Sequence, residues 1–558
     1  MRISKMFFKT FKEDPQDAEI KSHKLMVRAG YIKKQTAGVY MFLPLGLRVL
    51  HKLENVIREE MDKSGACEMQ MTSLLPIEAY ASRVEHFGKD MFRLFDRTGK
   101  EMCLGPSHEE IFTNVVKDAV TSYKQLPLIL YQIQTKFRDE VRPRFGLMRG
   151  KEFLMKDAYS YDVDQEGLDK SYNLMAETYK KIFNRLGLDF VIVNADNGSM
   201  GGSASQEFMV KSNIGEDEII VCECGYAANT EKAECTFVEE KSNVEKKSKK
   251  LTHTPNLKTI SDLVEPLGKK ESDMLKAVVY RIDNKQTVVA LVPGDREVEE
   301  TKLIRAVGGI NIEMASVEDI EAIGSVAGFV GAIDLVNCKV VADNSVKNMV
   351  NFIIGANKMD YHYEDANLED IKVDLFADIK RAQAGDVCAR CGRTLQSIRG
   401  IEVGHIFKQN TRYTEELQCK YLDEFGKSNY MQMGAYGIGV TRTLSALIEQ
   451  NADDKGMIWP DEIAPYAVEI VIANVKNSEQ VEMAEKLYNQ YLNKGIEVIL
   501  DDRIDSIGAK LKDAELIGVS NIIVVGKNTA DGNAELIVRK TGEKQVLSFE
   551  NLMNMSWK

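Results

Sequence analysis

The sequence predicts a multidomain α/β protein, and three patterns support this prediction. Residues 129–137 and 152–155 are β-prone runs joined by an arginine-rich loop, which predicts a hairpin with a cationic tip. A glycine-rich run, residues 434–440, precedes a predicted helix over 441–450, so small residues allow close approach of another group. Beyond Trp459, strand and helix patterns alternate, which indicates a small doubly wound unit.

Length and composition indicate an ordinary globular chain. The 558 residues predict three or four domains, and 44% apolar with 28% charged residues argues against large-scale disorder. Residues 1–15 lack the continuous apolar core of a signal peptide, and no later run is long enough to span a membrane. We therefore expect a cytoplasmic protein with no membrane association.

The net charge of −12 argues against a general nucleic-acid coat, whose affinity comes from many phosphate contacts. Local basic patches on an acidic body remain compatible with an RNA that must be released after each reaction. Composition alone therefore leaves RNA binding undecided.

The nine cysteines mostly stand singly at apolar positions, such as Cys67, Cys103 and Cys338, which predicts buried, reduced thiols. The exceptions are two short pairs, each followed by glycine: Cys222 with Cys224, and Cys388 with Cys391. Four thiolates would satisfy a tetrahedral zinc ion if the fold brought the pairs together. The one-residue spacing of the first pair and the long separation favour the alternative, a metal-free pair at a domain junction.

The N-terminal elements follow from periodicity and turn residues. Residues 14–30 predict a helix, residues 38–44 a strand, and a long helix begins at Gly46. One face of this long helix carries Leu50, Leu53, Ile57 and Met61, and Gly65 ends it. The next predicted strand, residues 67–75, ends at Pro76.

Two arginine-bearing motifs lie about 280 residues apart. Phe137-Arg138-Asp139-Glu140 leads to Arg149 and Phe153, and Arg442 follows the glycine-rich run. Together, in this order, they resemble motifs 2 and 3 of the class II aminoacyl-tRNA synthetases. The long helix and the strand ending at Pro76 resemble motif 1, which implies a homodimer, although an amphipathic helix covering a sheet explains the same periodicity.

The resemblance implies a binding site for ATP and Mg²⁺. Arg138 would bind the α-phosphate, where negative charge grows as a carboxylate attacks. Arg442 would reach the γ-phosphate or stack on adenine, and Phe153 would cover the other adenine face. The same motifs carry Glu140 and Arg149, which complete the implied ATP site.

Further segments are similar to those of bacterial-type prolyl-tRNA synthetases over essentially the whole chain. They are residues 104–110, 132–146 and 404–407. The family's Thr-x-Glu loop reads Ser107-His108-Glu109 here, which keeps a hydroxyl group. The resemblance implies that Ser107, Glu109, Arg138 and His405 bind L-proline, whose ammonium needs the charge of Glu109. His405, between glycine and isoleucine, could equally be a core residue.

The chain between the motifs predicts an inserted α/β domain. Residues 239–250 form a charged linker or exposed loop, and short β-rich runs follow at 276–280, 287–294, 331–335 and 340–343, with a helix from Glu297. The insertion resembles an editing domain that hydrolyses alanine mischarged onto the proline tRNA, since alanine fits any pocket that admits proline. Lys276, Asp343 and His362 match that site. Without the resemblance, they are surface or turn residues.

The C-terminal alternation comprises strands at 468–473, 496–500 and 521–526, and helices at 479–493 and 507–518. It resembles an anticodon-binding domain. Arg503 and Lys510 follow the carboxyl end of the second strand, the usual ligand edge of an open α/β sheet, so they could contact anticodon bases and phosphates. A solvent-exposed loop would have the same composition.

These inferences combine into one hypothesis. Residues 1–224 and 396–462 form a class II antiparallel-sheet catalytic core, 225–395 the editing domain and 463–558 the anticodon-binding domain. The expected function is a proline–tRNA ligase that uses ATP, Mg²⁺, L-proline and tRNA(Pro), with an added deacylase activity. The alternatives are a synthetase for another amino acid and a tRNA-binding or trans-editing protein that has lost activation.

Overall fold

The computed structural model describes residues 1–80, 83–84, 90–195, 202–237 and 244–557. These residues form two compact units. The first holds residues up to Ile192, the described residues to Glu216, and the chain from Arg399 onward; the second holds residues 193–195 and Asp217–Ile398. The four-domain division above stays a prediction.

The first unit is built on a mainly antiparallel sheet. Its strands lie in the order Ala204–Lys211, Gln396–Asn410, Gln432–Gly439, Glu152–Asp162, Leu128–Phe137 and Cys67–Glu68. Only the short last strand runs parallel to its neighbour within this set. The two motif strands, Gln432–Gly439 and Glu152–Asp162, are therefore adjacent although nearly 300 residues apart in sequence.

Three helices cover this sheet and form its core: Pro44–Lys63, Gln165–Arg185 and Val440–Asn451. Leu53, Ile57 and Met61 on the first helix are fully buried within the chain. The amphipathic face of this helix is therefore used inside one chain, and a homodimer stays a proposal. Gly65, with φ of +86°, follows the helix end.

The remaining helices and strands of this part are short. They are the helices Lys21–Arg28, Glu109–Ala119 and Arg412–Glu416, the 3₁₀ turns Ile3–Lys5, Ile77–Tyr80 and Tyr123–Gln125, and the strands Ile32–Thr36, Val39–Phe42, Leu74–Pro76, Arg93–Phe95, Glu101–Leu104, Phe190–Ala195, Lys420–Leu422 and Ser428–Tyr430.

Two N-terminal predictions need correction. The first helix begins at Lys21 rather than at Asp14, because Pro15 starts a turn closed by a hydrogen bond from Ala18 N to its carbonyl (3.1 Å). The strand expected at 67–75 is two strands in different sheets, Cys67–Glu68 and Leu74–Pro76.

The C-terminal part of the first unit is a five-stranded sheet in the order Val498–Asp501, Val468–Ile472, Asn521–Val525, Asn533–Val538 and Lys544–Ser548. The first three strands are parallel, as the alternation predicted, and the last two are antiparallel. Helices Ser478–Asn493, Ile507–Ile517 and Phe549–Asn554, with the 3₁₀ turn Lys527–Asp531, accompany the sheet.

The second unit contains two main sheets. A five-stranded mixed sheet has the order Ile312–Met314, Leu275–Ile282, Gln286–Pro293, Lys339–Asp343 and Leu375–Ala377, and an antiparallel sheet has Lys250–His253, Tyr361–Ala366 and Phe352–Gly355. The helices are Ile260–Leu267, Glu300–Val307 and Val317–Ala322, with 3₁₀ turns Glu271–Asp273, Asn344–Asn348 and Leu368–Asp370. Shorter strands are Asp217–Val221, Ala227–Asn229, Cys235–Thr236 and Val387–Cys388.

The strand expected at 331–335 is absent from that described segment. Gly331 N donates to Asn357 Oδ1 (2.7 Å), and Asp334 has a φ of +56°, so the backbone turns instead of extending. Of the charged stretch 239–250, residues 239–243 lie outside the described residues, and Lys250 begins a strand. None of the helices in the described part of the chain combines the length and apolarity needed to cross a bilayer.

Candidate active site

A cavity of about 310 Å³ in the first unit brings together every residue predicted to bind ATP or proline. These residues are Ser107, Glu109, Arg138, Glu140, Arg149, Phe153, His405 and Arg442. The motif strands are neighbours in the sheet, so one sheet face places the two arginine motifs on the same cavity. Its lining also includes Asp157, Tyr159, Glu402 and Phe407, which the sequence analysis did not select.

The predicted hairpin positions Arg138. Strands Leu128–Phe137 and Glu152–Asp162 pair up to Phe137 and Glu152, and Arg138 N then donates to Lys151 O (2.9 Å). The guanidinium lies 5.3 Å from the Phe153 ring centroid, and its Nη2 makes a long contact with Pro106 O (3.4 Å). Its Nε is buried and has no hydrogen-bond partner within the described structure.

The electrostatics around Arg138 favour an anion. Burial lowers the pKa of Arg138, and the positive charge of Arg442 lowers it further. Arg138 thus has a buried donor without a partner beside a second positive charge, an arrangement that the protein alone stabilises poorly. Phosphate oxygens would supply the missing acceptors and the opposing charge.

Arg442 is held in place mainly by Glu402, which also lines the cavity. Its Nε donates to Met148 O (3.0 Å), and its Nη1 donates to Glu402 O (3.1 Å) and Oε2 (3.2 Å). Burial opposes ionisation of Glu402, but the hydrogen bond and charge of His405 and the charges of Arg442 and Arg138 outweigh it and lower the pKa to about 2. Glu402 is therefore an anion at neutral pH.

A β-bulge explains why Glu402 was missed. Phe208 pairs with Gly404 while Met209 pairs with Glu402, so one extra residue lies in the strand. The bulge breaks strict alternation and lets both Glu402 and His405 line the cavity, with Glu402 Oε1 3.0 Å from His405 Nδ1. Alternation in the sequence would have placed them on opposite faces.

His405 is a cavity residue rather than a core residue. Its ring stacks on Phe407 with centroids 3.8 Å apart, and its Nε2 is buried without a hydrogen-bond partner in the described part of the chain. Glu402 and Phe407 therefore fix the ring orientation and leave one ring nitrogen for a ligand. Contact with proline itself stays a prediction.

Glu109 lies in a buried cluster that the sequence did not reveal. Arg83 Nη2 donates to Ser107 Oγ (3.0 Å) and to Glu109 Oε2 (3.1 Å), and Arg83 also pairs with Glu110. All four side chains are buried. One guanidinium thus faces two carboxyl groups, and burial raises the pKa of Glu110 to about 7 although Arg83 opposes that rise.

A second buried network holds the Ser107–Glu109 loop in place. Lys136 Nζ lies 2.8 Å from Asp157 Oδ1 and 2.8 Å from His108 Nδ1, while Asp157 Oδ2 accepts from Gln132 and Tyr159 (both 2.9 Å). Burial and the Lys136 charge lower the pKa of His108, so the imidazole is neutral and accepts from Lys136. His108, the middle residue of the loop, therefore positions Ser107 and Glu109.

The remaining predicted ATP residues form an ion pair at the hairpin tip. Arg149 Nε donates to Glu140 Oε2 (2.9 Å), and the Arg149 side chain is 41% exposed. Phe145 and Gly146, both with positive φ, form the turn between them. This partly exposed pair can open towards a nucleotide at small cost.

Only two of the three predicted editing residues line the same cavity of the second unit. Lys276 and His362 line one cavity of about 450 Å³. His362 Nδ1 is 2.7 Å from Thr254 Oγ1, and burial lowers its pKa, so the ring is neutral. Lys276 Nζ donates to Arg296 O (2.7 Å) and Glu297 Oε1 (2.6 Å).

Asp343 does not belong to the lining of this cavity. It is 2% exposed, and its carboxylate accepts hydrogen bonds from Ser345 N and Oγ and from the backbone N–H groups of Ile379 and Lys380. With both oxygens engaged by local donors, Asp343 stabilises the strand end rather than facing the cavity in this structure.

The predicted anticodon residues also differ from each other. Lys510 is fully buried, and its Nζ donates to Ile472 O (2.7 Å), so the structure places it inside the domain and not at an RNA-binding surface. Arg503 is partly exposed and pairs with Asp501 (2.7 Å) and Asp513 (2.8 Å). Sequence position after a strand could not distinguish these depths.

The four paired cysteines meet in the second unit. The sulfur atoms of Cys222, Cys224, Cys388 and Cys391 all lie within 4.8 Å of one another. The condition set for a zinc site, that the fold brings the two pairs together, is therefore met. Of the single cysteines, Cys103 is buried, Cys338 is half-buried and Cys67 is exposed, which corrects the expectation for Cys67.

Two family models match the chain. Residues 92–451 match the tRNA synthetase class II core domain (G, H, P, S and T), and residues 469–555 match the anticodon binding domain. The first match covers more than half of the chain, and it includes every residue of the 310 Å³ cavity. The fold and the site thus define a class II aminoacyl-tRNA synthetase, and the expected core and anticodon-binding domain are confirmed.

Full-length relatives narrow the class. The chain is 49% identical to the proline–tRNA ligase of Caldicellulosiruptor bescii, covering 100% of this chain and 98% of the relative, and 48% identical to that of Thermoanaerobacter sp. (99% and 98%). The chain belongs to the proline–tRNA ligase family.

Solved structures agree in fold. Prolyl-tRNA synthetase from Cryptosporidium parvum, complexed with halofuginone and AMPPNP, has a TM-score of 0.58 and 12% identity, covering 96% of this chain and 75% of that one. The Giardia lamblia enzyme in complex with prolyl-adenylate also gives 0.58, with 16% identity, 96% and 76% coverage.

Proposed function

We propose that this chain activates L-proline with ATP and transfers the prolyl group to tRNA(Pro). The observation that carries the proposal is one cavity lined both by Arg138, whose buried Nε has no hydrogen-bond partner in the described structure, and by Glu109, which belongs to a buried acidic cluster. Arg138 can bind an anion and Glu109 can bind a cation. A cavity that contains both suits an amino acid, whose two ends carry opposite charges, bound beside a triphosphate. The 45–49% identity to proline–tRNA ligases over the full chain supports proline as that amino acid.

The first step joins the proline carboxylate to the α-phosphorus of ATP and breaks the bond to the β-phosphate bridging oxygen, which leaves as pyrophosphate. Charge grows on the α-phosphate oxygens in the transition state, and Arg138 is positioned to stabilise it. In the second step the terminal ribose hydroxyl of the tRNA attacks the prolyl carbonyl and AMP leaves. Alignment of the reacting groups and neutralisation of the phosphate charge supply the catalysis.

The charges around Glu109 would select the ammonium group of the amino acid. Arg83 neutralises one of the two carboxylates beside Ser107, so the secondary ammonium of proline would supply the second positive charge. Ser107 Oγ, which accepts from Arg83, stays within the same cluster and supports Glu109. Serine stands where the family has threonine, and its hydroxyl group is used in this contact with Arg83.

Mg²⁺ fits the donor set of this cavity. Glu140 and Glu402 both line it and offer the carboxylate oxygens that Mg²⁺ prefers, alongside phosphate oxygens. We propose that they would hold the ion, which neutralises charge on the polyphosphate when bound. The arginines that pair with these carboxylates, Arg149 and Arg442, would then be released towards phosphate oxygens.

Amino-acid-dependent ATP–pyrophosphate exchange without tRNA tests the proposal. Exchange should be strongest with proline and weaker with alanine, and Arg138→Ala should lower it about 100-fold or more because a transition-state contact is lost. Arg142→Ala is the matched control, since Arg142 is an exposed arginine of the same loop, and should retain exchange. Folded wild-type protein without exchange for any amino acid contradicts the proposal and favours the RNA-binding, trans-editing alternative.

We also propose that the second unit hydrolyses alanyl-tRNA(Pro). The 450 Å³ cavity supports this, because a cationic Lys276 suits the terminal phosphate and a neutral, buried His362 can hydrogen-bond water or the ester. Lys276→Ala should slow deacylation about tenfold, the value of one charge-assisted hydrogen bond, with proline-dependent exchange unchanged. Lys285→Ala, an exposed lysine of the adjoining hairpin, is the control. Equal deacylation by both variants contradicts this role.

Three further properties follow from the proposed reaction. tRNA(Pro) is the partner, with Arg503 as an expected contact on the anticodon-binding domain. A homodimer and a cytoplasmic location, where tRNA is charged, remain proposals. Sedimentation of the full chain tests the dimer, and a monomer at micromolar concentration contradicts it.

A further inference from the structure

We infer that Cys222, Cys224, Cys388 and Cys391 hold a structural zinc ion in the inserted unit. Cys222 Sγ is 3.5 Å from Cys391 Sγ, Cys224 Sγ is 3.9 Å from Cys388 Sγ, and all four sulfurs lie within 4.8 Å of one another. Four thiolates at about 2.3 Å from a tetrahedral zinc stand roughly 3.8 Å apart. The observed cluster therefore has the dimensions of a zinc tetrathiolate site.

The two pairs lie in turns of the same design. Cys222 N donates to Tyr226 O (2.8 Å) and Gly225 N to Cys222 O (2.9 Å); Cys388 N donates to Arg393 O (2.8 Å) and Gly392 N to Cys388 O (3.0 Å). Gly225 (φ +84°) and Gly392 (φ +73°) occupy the left-handed region in corresponding places. In each turn the first thiol is buried and the second is exposed.

The two turns match although the cysteines of the first pair are one residue closer in sequence than those of the second. The conformation of the turn, and not the number of residues between the cysteines, places both sulfurs of a pair on the same side. One intervening residue in the first turn and two in the second therefore give equivalent ligand pairs. Such paired turns with glycine after the last cysteine are typical of structural zinc sites.

The surroundings show why an ion is needed here. The local core around the thiols is a small cluster of mostly small side chains: Ile220, Tyr226, Ala228, Ala233, Cys235, Ala382 and Leu395. So little apolar burial stabilises a fold weakly, and small units with such cores commonly rely on a metal or disulfides.

The ion would close the inserted segment at its two ends. Cys224 and Cys388 are 164 positions apart, near the points where this segment begins and ends. Two polar contacts already join the turns: Arg393 with Glu223 (3.3 Å), and Arg390 over the Tyr226 ring (5.0 Å). The exposed ion pair contributes little, so zinc would strengthen the link between the turns.

The test is the metal content of the full-length chain purified under reducing conditions without chelator. Elemental analysis should find about one zinc per chain. Replacement by Co²⁺ should give the intense visible bands and the sulfur-to-metal charge transfer of a tetrahedral tetrathiolate. The double variant Cys224→Ser, Cys391→Ser should retain less than about a tenth of the metal, since two ligands are lost. Cys67→Ser, which removes an exposed single cysteine, should retain all of it.

Several outcomes would overturn the inference. Wild-type protein that contains no zinc and takes up neither Zn²⁺ nor Co²⁺ with its thiols reduced contradicts it. A Co²⁺ spectrum without thiolate charge transfer, or Cys222–Cys391 and Cys224–Cys388 disulfides in protein isolated with its thiols trapped, also contradicts it. The wild-type measurements do not depend on the double variant folding. Proline-dependent ATP–pyrophosphate exchange reports separately that the first unit is intact.

Discussion

Individual side chains in and beside the 310 Å³ cavity are arranged around charges that the protein leaves only partly compensated. Arg138 has a buried nitrogen without a partner in the described structure, and Glu109 and Glu110 share Arg83. Buried charges of this kind cost stability unless a ligand completes their pairing. The substrate's ammonium and phosphates are the complementary groups.

The charge on Glu110 should make proline binding depend on pH. Because burial raises its pKa to about 7, Glu110 is protonated at lower pH and Arg83 then neutralises Glu109 alone. The KM for proline should therefore fall as the pH rises from about 6 to about 8, with kcat at saturating proline little changed. Initial rates of ATP–pyrophosphate exchange at varied proline measure this.

Glu110→Gln is the matched variant, because it imitates the protonated carboxyl group at every pH. It should show the higher KM throughout and lose the slope over this range. A wild-type KM that is independent of pH, or a Gln variant that keeps the slope, would show that Glu110 does not control the site.

At the level of strands and helices, the glycines of Gln432–Gly439 have different purposes. A Cβ on Gly437 would meet only Met155 Sδ at 3.8 Å and would stand in the cavity, whereas a Cβ on Gly434 would collide with the Tyr436 hydroxyl at 2.0 Å. The first glycine leaves space for a ligand, and the second leaves space for a buried tyrosine.

Gly437→Ala and Gly434→Ala therefore form a pair of tests. Gly437→Ala should raise the KM for ATP severalfold with an unchanged unfolding temperature, because only ligand space is filled. Gly434→Ala should lower stability by about 1–3 kcal/mol, the usual cost of overpacking a core. Nucleotide-dependent kinetics and thermal unfolding separate the two effects; an equal loss of stability in both variants would contradict the assignment.

Across the first unit, a buried contact joins Tyr31, next to the N-terminal strand Ile32–Thr36, and Trp459 to the last residue of helix Ile507–Ile517. Tyr31 and Trp459 stack with centroids 5.9 Å apart, and Tyr31 Oη (2.7 Å) and Trp459 Nε1 (3.2 Å) both donate to Ile517 O. Trp459 lies between the two family regions, which end at residue 451 and begin at residue 469, so this contact fixes the connecting segment near its middle.

Tyr31→Phe should lower the stability of the chain by about 1 kcal/mol, because a buried hydrogen bond is lost with little change in packing. A downward shift of the thermal unfolding midpoint by about 2 °C is the expected measurement. Tyr430→Phe, which removes an exposed hydroxyl contact to Gln418 (3.2 Å), is the control and should leave the midpoint unchanged. Equal midpoints for both variants would show that the contact adds nothing.

The sequence by itself determined the class of this protein, its chemistry-bearing motifs and most elements. Local signals were sufficient there: β-prone runs around an arginine loop identified the hairpin, and alternation identified the C-terminal sheet. All eight predicted ATP and proline residues line one cavity, since motif residues lie near strand ends that the fold brings together.

Only the tertiary structure decided how deeply side chains are buried, which partners they have and how the four thiols are arranged. Lys510 and Asp343 are polar residues near strand ends, yet one is fully buried and the other is occupied by backbone donors. Glu402 enters the site through a bulge, Arg83 reaches Glu109 from 26 positions earlier in the chain, and the four thiols meet across 164 positions. These arrangements depend on contacts between segments far apart in the chain, which local periodicity does not encode.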